Sequence, residues 1–133
     1  MSANLDLVRS IYAVREGGDF SSVEWAHPEI EYVVADGPSP ATFTGLIEMK
    51  RGAREVLSPW KDVRTVIDDY RELDDERILV LLRFVGRGKT SGLELDPRWT
   101  RGAEVVHITD GRVTSIVHYF DRDRALSDLG LEE

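Results

Sequence analysis

Two histidines lie on either side of a turn in the last third of the chain. The runs Ala103–Thr109 and Arg112–Asp121 contain His107 and His118, and Asp110-Gly111 separates them. Asp-Gly between runs rich in β-branched residues predicts a hairpin, because a type I′ turn needs positive φ at both central residues. A histidine can take up or release a proton near neutral pH, so each one is a candidate general acid or base.

A regular two-residue turn fixes which residues face one another. It pairs Thr109 with Arg112, and by continuation Ala103 with His118. Side chains alternate between faces, so one face is predicted to carry Ala103, Val105, His107, Thr114, Ile116, His118 and Phe120. The two histidines would then be roughly 13 Å apart along the strands, too far for one metal ion with ligands at about 2 Å. No metal site is expected, and thiolate ligands are excluded because the chain has no cysteine.

Each candidate side chain also has a purely structural interpretation. Either histidine could bond a neighbouring hydroxyl, for instance Thr114 opposite His107; His118 is the better catalytic candidate, since its face continues to Ile116 and Phe120. Arg83 interrupts an apolar strand and must find a partner. That partner could be a ligand anion in a pocket, Asp68 or Asp69 on a neighbouring strand, or Glu104.

Structural roles are predicted for two aspartates. Asp121 precedes a predicted terminal helix and is expected to cap it. Asp36 could be a base at the rim of a pocket, but Asp-Gly-Pro is ordinary turn chemistry.

Aromatic residues occupy positions that could surround a pocket mouth. They can bind flat apolar ligands and offer one polar edge, although each could equally be a core residue. Trp60, just after a helix end, and Trp99, in a loop, are the first candidates for a function. The predicted ligand-binding set is Tyr12, Trp25, Tyr32, Trp60, Arg83, Trp99, Val105, Ile116 and Phe120.

Composition bounds the class of protein. The 133 residues predict one domain, 1–133, and the net charge of -8 argues against nucleic acid or anionic membranes as partners. No apolar run approaches the roughly 20 residues that span a bilayer. The start of the chain, Met1–Asp6, lacks the features of a signal peptide. We therefore expect a cytoplasmic protein without a cofactor.

The order of predicted elements indicates an α+β fold. Helical spacing from Leu5 ends at Gly17-Gly18, and a short second helix carrying Val23 and Trp25 stops at His27-Pro28. Later segments are predicted as a strand at Glu29–Val34, a helix after Gly45, strands at Val63–Tyr70 and Arg77–Arg87, the hairpin, and a helix at Ala125–Leu131. Strands after helices imply helices packed on one face of a strongly curved sheet.

Several segments together resemble the nuclear transport factor 2-like superfamily, most closely its SnoaL-like members. They are Gly17-Gly18-Asp19-Phe20, Trp25 to Tyr32, Phe43-Thr44-Gly45, and Asp110 to Val113 with Tyr119-Phe120-Asp121. The resemblance covers nearly the whole chain. It implies a cone-shaped α+β barrel, in which a curved, mainly antiparallel (mixed) sheet wraps around the N-terminal helices and encloses an apolar pocket. It also implies a homodimer formed through the outer sheet face.

The resemblance implies several possible activities. Ketosteroid isomerases use a carboxylate base on the first strand and a protonated acid before the final turn. Here those positions correspond to Val33 or Val34 and to the neighbourhood of Val105, with Glu104 adjacent but on the opposite face, so that mechanism is not expected unless a bulge shifts the register. Polyketide cyclases of the family use His and Asp on late strands, a region that here holds His107, His118 and Asp121.

Three functions follow from these patterns. The leading one is binding of a small apolar or cyclic molecule in the pocket. The second is an isomerase- or cyclase-type enzyme that abstracts a proton from a ketone or polyketide with His118 or His107. The third is a dimeric interaction module that uses an outer sheet face carrying Val106, Val113, Val117 and Tyr119.

Overall fold

The computed structural model describes residues 3–16, 24–37, 40–57, 60–88 and 101–131. Helices α1 (Ala3–Glu16), α2 (Leu46–Leu57) and α3 (Arg122–Asp128) accompany the strands. The strands are β1 (Ala26–Val34), β2 (Ala41–Thr44), β3 (Trp60–Glu72), β4 (Arg77–Gly88), β5 (Arg101–Thr109) and β6 (Arg112–Tyr119).

Within those ranges the six strands form one mixed sheet in the order β2-β1-β6-β5-β4-β3. The pair β1–β6 is parallel and the other pairs are antiparallel. Strand β4 is internal, as its unbroken run Ile78–Leu82 predicts, because a strand covered on both faces is apolar on both. The predicted α+β class is confirmed.

Helices cover both faces of this sheet. We call the face under α1 and α2 the inner face; Val8, Ile11 and Tyr12 of α1 and Met49 of α2 share one buried core there with Ile116. The face under α3 is the outer face, where Ala125 and Leu126 pack on Leu79, Leu81 and Ala103. Any site on the inner face is therefore enclosed between helices and sheet.

The sheet is strongly curved. Hydrogen-bond register aligns His118 with Glu104 and Glu104 with Val80. Phe84 lies four residues beyond Val80, about 13 Å along the strand. Its ring is nevertheless 5.5 Å from the ring of His118, so the end of β4 bends back over the inner face.

The hairpin has the predicted turn but not the predicted register. Asp110 and Gly111 have φ of 52° and 77°, as a type I′ turn requires. Beyond it Ile108 faces Val113 while His107 faces Ser115, so Thr114 is an extra, bulged residue. The bulge moves every later residue of β6 to the opposite face from the predicted one. The predicted pairs His107–Thr114, Val105–Ile116 and Ala103–His118 are therefore wrong.

Other boundaries differ from the expectations for local reasons. Strand β2 is not predicted, and β1 begins at Ala26, so Trp25 lies in a turn and not in a helix. Residues 19–23, where the expected second helix begins, lie outside the described ranges. Helix α3 begins at Arg122 because Asp121 accepts hydrogen bonds from the amides of Asp123 and Arg124, which confirms its capping role.

Helix α3 ends earlier than predicted because Gly130 turns into the left-handed region, with φ of 70°. Among the helices in the described residues, none has the length and apolarity needed to cross a membrane.

Candidate functional site

The bulge at Thr114 places His118 on the inner face, directly opposite Glu104. His118 Nδ1 lies 2.9 Å from Glu104 Oε2, and both side chains are almost completely buried. The predicted register put Glu104 on the other face from His118; that placement is wrong, and the pair is the centre of the site.

Glu104 is held by three side chains. His118 contacts Oε2, while the hydroxyl of Tyr12 donates to Oε1 and Arg15 Nη1 lies 3.3 Å from the same oxygen. Tyr12 and Arg15 are three residues apart on α1, a spacing that puts both on one side of the helix. Arg15 also lies over the rings of Tyr12 and Trp25, at 5.1 and 5.6 Å. One helix therefore supplies both a hydrogen bond and a counter-charge to a carboxylate on the sheet.

These contacts keep Glu104 ionised. Burial alone would raise its pKa, but the hydrogen bond with His118 and the charge of Arg15 outweigh burial and lower the pKa to about 2. Burial, followed by the charge of Glu104, raises the pKa of both Tyr12 and Tyr32. At neutral pH the centre thus holds one carboxylate, one guanidinium and two neutral phenols.

An ionised carboxylate fixes the tautomer of the neutral imidazole. Carboxylate oxygens only accept hydrogen bonds, so Nδ1 of His118 carries the proton that points at Glu104. In the neutral ring the other nitrogen, Nε2, is a lone-pair acceptor, whereas in the imidazolium it is a second donor. It is buried and has no hydrogen-bond partner among the described residues.

Two apolar rings lie against the imidazole. The ring of Phe120 meets the imidazole edge-on at 4.6 Å, and that of Phe84 lies at 5.5 Å. Asp36 helps to hold Phe120, because its carboxylate accepts hydrogen bonds from the backbone amides of Phe120 and Asp121 at 2.6 and 3.2 Å. Asp36 therefore joins the end of β1 to the end of β6, and its carboxylate is occupied by backbone.

The other predicted site residues on the inner side are close to this centre or share its core. Tyr32, Ile116 and Phe120 belong to the inner cluster with Tyr12, and Trp25 packs against it. Their predicted role as ligand contacts stays a prediction. Trp99 lies outside the described residues, as does the side chain of Trp60.

Three predicted site residues lie elsewhere. Val105 belongs to the outer cluster, so the face predicted for it is wrong. His107 is on that same outer face; its Nε2 lies 3.1 Å from Glu76 near the surface, and the predicted shared face of the two histidines is wrong. Arg83 pairs with Asp68 at 3.0 Å, the structural alternative left open by the sequence.

Sequence reasoning did not recognise Arg15 or the role of Glu104. A signal for Glu104 exists, since it is the one acidic residue in the run Ala103–Ile108 and a buried charge needs partners. Arg15 carries a weaker signal, because its position next to Tyr12 on the helix shows only once α1 is placed against β5. Because Glu104 is ionised, it does not match the protonated acid of the isomerase mechanism, although the bulge puts it on the inner face.

Other parts of the described structure offer weaker candidate sites. Within the described ranges, no group of three or more His, Asp or Glu side chains could hold a metal ion. Open depressions beside the β3–β4 turn are lined mainly by acidic residues such as Asp74 and Asp75. Neither is lined by His118 or Glu104.

Comparison with known proteins supports the architecture. No protein-family model matches the chain, and no curated protein matches it. Among solved structures, an NTF2-like protein of unknown function from Burkholderia pseudomallei K96243 is similar, with a TM-score of 0.76 at 23% identity. The match covers 96% of this chain and 97% of that one.

Two further structures are similar over most of their length. TerC, co-crystallised with polyporic acid, has a TM-score of 0.74 at 20% identity and covers 96% of this chain and 98% of its own. A candidate SnoaL-like polyketide cyclase from Jannaschia sp. CCS1 has a TM-score of 0.71 at 13% identity, with 86% and 83% covered. These likenesses bear out the predicted resemblance at the level of the fold: the chain has the NTF2-like α+β fold.

Proposed function

We propose that the protein binds a small, largely apolar cyclic molecule on the inner face of its sheet, and that this molecule gives a hydrogen bond to His118 Nε2. The observation that carries the proposal is a fully buried imidazole whose Nδ1 is held by Glu104 and whose Nε2 has no partner among the described residues. Buried polar atoms are nearly always hydrogen-bonded, so such an atom indicates where a ligand can dock.

The surroundings define the chemical class of the ligand. Phe84 and Phe120 offer ring surfaces, which favour a flat apolar body. Nε2 accepts a hydrogen bond, so the ligand needs a hydroxyl, enol or similar donor at the point that meets it. The fully buried position of His118 favours ligands that leave few polar groups unpaired.

Proteins of similar fold support this class. One of them was co-crystallised with polyporic acid, and another is a candidate polyketide cyclase. Identities of 20% and 13% do not carry a substrate across to this chain, but they place cyclic ligands and polyketides among the compounds worth testing.

A second candidate function is proton abstraction from a ketone or polyketide. In this reaction Nε2 takes a proton from the carbon next to a carbonyl, the C–H electron pair forms the enolate, and the imidazolium returns the proton to another atom of the substrate. The observation that favours it is the Glu104 carboxylate on Nδ1, which fixes the tautomer and stabilises the imidazolium that forms.

The test is a ligand screen on wild type and two matched variants. Polycyclic ketones, polyketides, polyporic acid and fatty acids are screened by thermal shift; a ligand at a hundredfold over its Kd stabilises the fold by about 2.7 kcal/mol. His118→Asn keeps an amide donor for Glu104 and removes the Nε2 acceptor. His107→Asn makes the same change on the outer face and is the control.

We expect hits to bind wild type and His107→Asn alike and to bind His118→Asn at least tenfold more weakly. Each hit is then incubated with enzyme in deuterated buffer, and exchange at the carbon next to the carbonyl is followed by mass spectrometry. Exchange that requires His118 would establish proton abstraction. Binding without exchange would support a function in ligand binding alone. Equal binding to His118→Asn would contradict both functions.

A further inference from the structure

A second buried polar atom lies near the imidazole. Thr65, which is 2% exposed, has a hydroxyl without a hydrogen-bond partner among the described residues. The unpartnered buried side-chain atoms in that part of the chain are this Oγ1 and Nε2 of His118. An unsatisfied buried hydroxyl costs roughly 1–3 kcal/mol, so its presence asks for an explanation.

Both atoms belong to the same side of the sheet. Thr65 of β3 is the register partner of Phe84 of β4, and directly paired residues of antiparallel strands project from the same face. Phe84 packs on the inner cluster, and its ring lies 5.5 Å from that of His118. Phe84 is therefore the register partner of Thr65 and at the same time a ring neighbour of His118.

The two groups belong to strands that are three places apart in the sheet. His118 lies on β6 and Thr65 on β3, with β5 and β4 between them, and neighbouring strands are about 4.8 Å apart. A molecule that meets both groups therefore has to reach across more than one strand. A single water molecule, with hydrogen bonds of about 2.8 Å, cannot satisfy both.

We propose that Thr65 is the second polar anchor of the ligand that His118 binds, and that it selects molecules with an oxygen at each end of a flat apolar body. This rests on the proposed function and specifies its ligand. One end gives a hydrogen bond to Nε2, the other exchanges one with the hydroxyl of Thr65, and the ring of Phe84 lies along the body between them. Threonine can donate or accept, so the far oxygen can be a hydroxyl or a carbonyl.

The position of Thr65 is informative because valine has nearly the same shape without the hydroxyl. In a site that only packs, valine would avoid the cost of burying an unpaired polar group. The empty protein with threonine is accordingly less stable than it could be. A bound ligand recovers this stability by giving the hydroxyl of Thr65 a hydrogen-bond partner.

The experiment uses two probes that differ by one oxygen. The compound para,para′-biphenol has a hydroxyl at each end of two rings, and para-phenylphenol has a hydroxyl at one end. Their Kd values are measured by calorimetry on wild type, Thr65→Val, Thr65→Ser and His118→Asn. Melting temperatures of all four are recorded without ligand.

We expect wild type and Thr65→Ser to bind the biphenol about tenfold more tightly than the phenylphenol, which corresponds to about 1.4 kcal/mol. Thr65→Val is expected to bind both equally and to melt at a higher temperature than wild type. His118→Asn is expected to bind both weakly.

A tenfold preference that persists in Thr65→Val would overturn the role of Thr65 while leaving binding at His118 intact. A lower melting temperature of Thr65→Val would also overturn it, because the hydroxyl would then have a structural partner. Failure of wild type to bind either probe, or equal binding by His118→Asn, would count against the proposed function itself.

Discussion

At the scale of single residues, the charge of Glu104 decides the chemistry of the site. Its carboxylate lies opposite His118 and between Tyr12 and Arg15, and it stays ionised although it is buried. A protonated acid in the same place would donate a hydrogen bond to His118 and leave Nε2 with the proton. In the neutral ring, a lone pair at Nε2 therefore requires that Glu104 is ionised.

This charge predicts a pH dependence of stability. The pKa of Glu104 is about 2 in the folded protein against an ordinary value of 4.5. Its contribution to the free energy of unfolding is fully present above pH 4.5 and is lost as the pH falls towards 2. Glu104→Gln should therefore be less stable at neutral pH, by roughly 3 kcal/mol, because removing one charge of a buried ion pair leaves the charge of Arg15 without its carboxylate. It should also lose less stability on acidification than wild type does.

Urea unfolding at several pH values measures this difference. Glu76→Gln is the control, because Glu76 is an exposed carboxylate that also pairs with a histidine, His107. It should unfold like wild type throughout. Parallel pH curves for wild type and Glu104→Gln would show that Glu104 is not an ionised, stabilising group.

The sequence predicts His118 as the better histidine but not its partner. Strict alternation through the Asp110-Gly111 turn puts Glu104 and His118 on opposite faces, and the bulge at Thr114 reverses this. A single bulged residue leaves no mark in hydrophobic periodicity, since both faces of this hairpin are apolar. His118 was thus accessible from the sequence as a candidate, whereas its contact with Glu104 was not.

At the scale of elements, Arg122 fastens α3 to the sheet. Its guanidinium donates to the backbone carbonyls of Leu82 and Gly102 at 2.8 and 3.1 Å and to Asp68 at 2.8 Å. Asp68 is itself the bulged residue of β3, between Ile67 and Asp69. One side chain thereby joins the helix to three strands.

Removing that guanidinium should be costly. Arg122→Met leaves two buried carbonyls without this partner, at roughly 1–3 kcal/mol each, so we expect a loss of roughly 2–6 kcal/mol in the free energy of unfolding. Arg124→Met is the matched control on the same helix. Its ion pair with Asp128 is 3.9 Å long and about half exposed, and such pairs contribute at most about 1 kcal/mol.

Chemical denaturation of both variants provides the comparison. Equal stabilities would mean that α3 is held by its apolar contacts, Ala125 and Leu126 on the outer cluster, without help from Arg122.

Elements with a local signal were predictable, and those set by tertiary contacts were not. The Asp110-Gly111 turn, the cap by Asp121 and the internal strand around Ile78–Leu82 follow from local chemistry. Strand β2 has only four residues beside prolines and glycines, and it forms because β1 supplies its hydrogen bonds. Pairing of this kind is not encoded in the short segment itself.

At the scale of the whole molecule, the outer face of the sheet is the surface on which we expect two copies of the chain to meet. Helix α3 and its neighbours cover Leu79, Leu81 and Ala103. The register partners Val33 and Val117 stay partly exposed on the outer face of β1 and β6. The face first expected to carry a dimer interface also included Val106 and Val113, but these are core residues of the inner face.

We expect a homodimer that uses the patch of Val33 and Val117. Val117→Glu should then give a folded monomer, since an unpaired charge in an apolar interface is costly. Ile47→Glu is the control, because Ile47 is an apolar side chain 82% exposed on α2. Sedimentation velocity distinguishes the species, and a wild type that is monomeric at high micromolar concentration would refute the expected dimer.

The fold as a whole was predictable. Glycines, prolines and the Asp110-Gly111 turn separate the predicted helices and strands in an order that is typical of this fold. Function was not predictable, since one fold supports many chemistries and the residues that choose among them are few. Here the choice rests on one buried histidine and the carboxylate beside it.

The most direct measurement is the protonation of the two nitrogens of His118, by NMR of isotope-labelled imidazole at neutral pH, with His118→Asn used for assignment. We expect a proton on Nδ1, bound to Glu104, and a lone pair on Nε2 whose resonance moves when a ligand binds. A neutral ring with its proton on Nε2, or a resonance unaffected by every ligand that binds, would contradict this expectation.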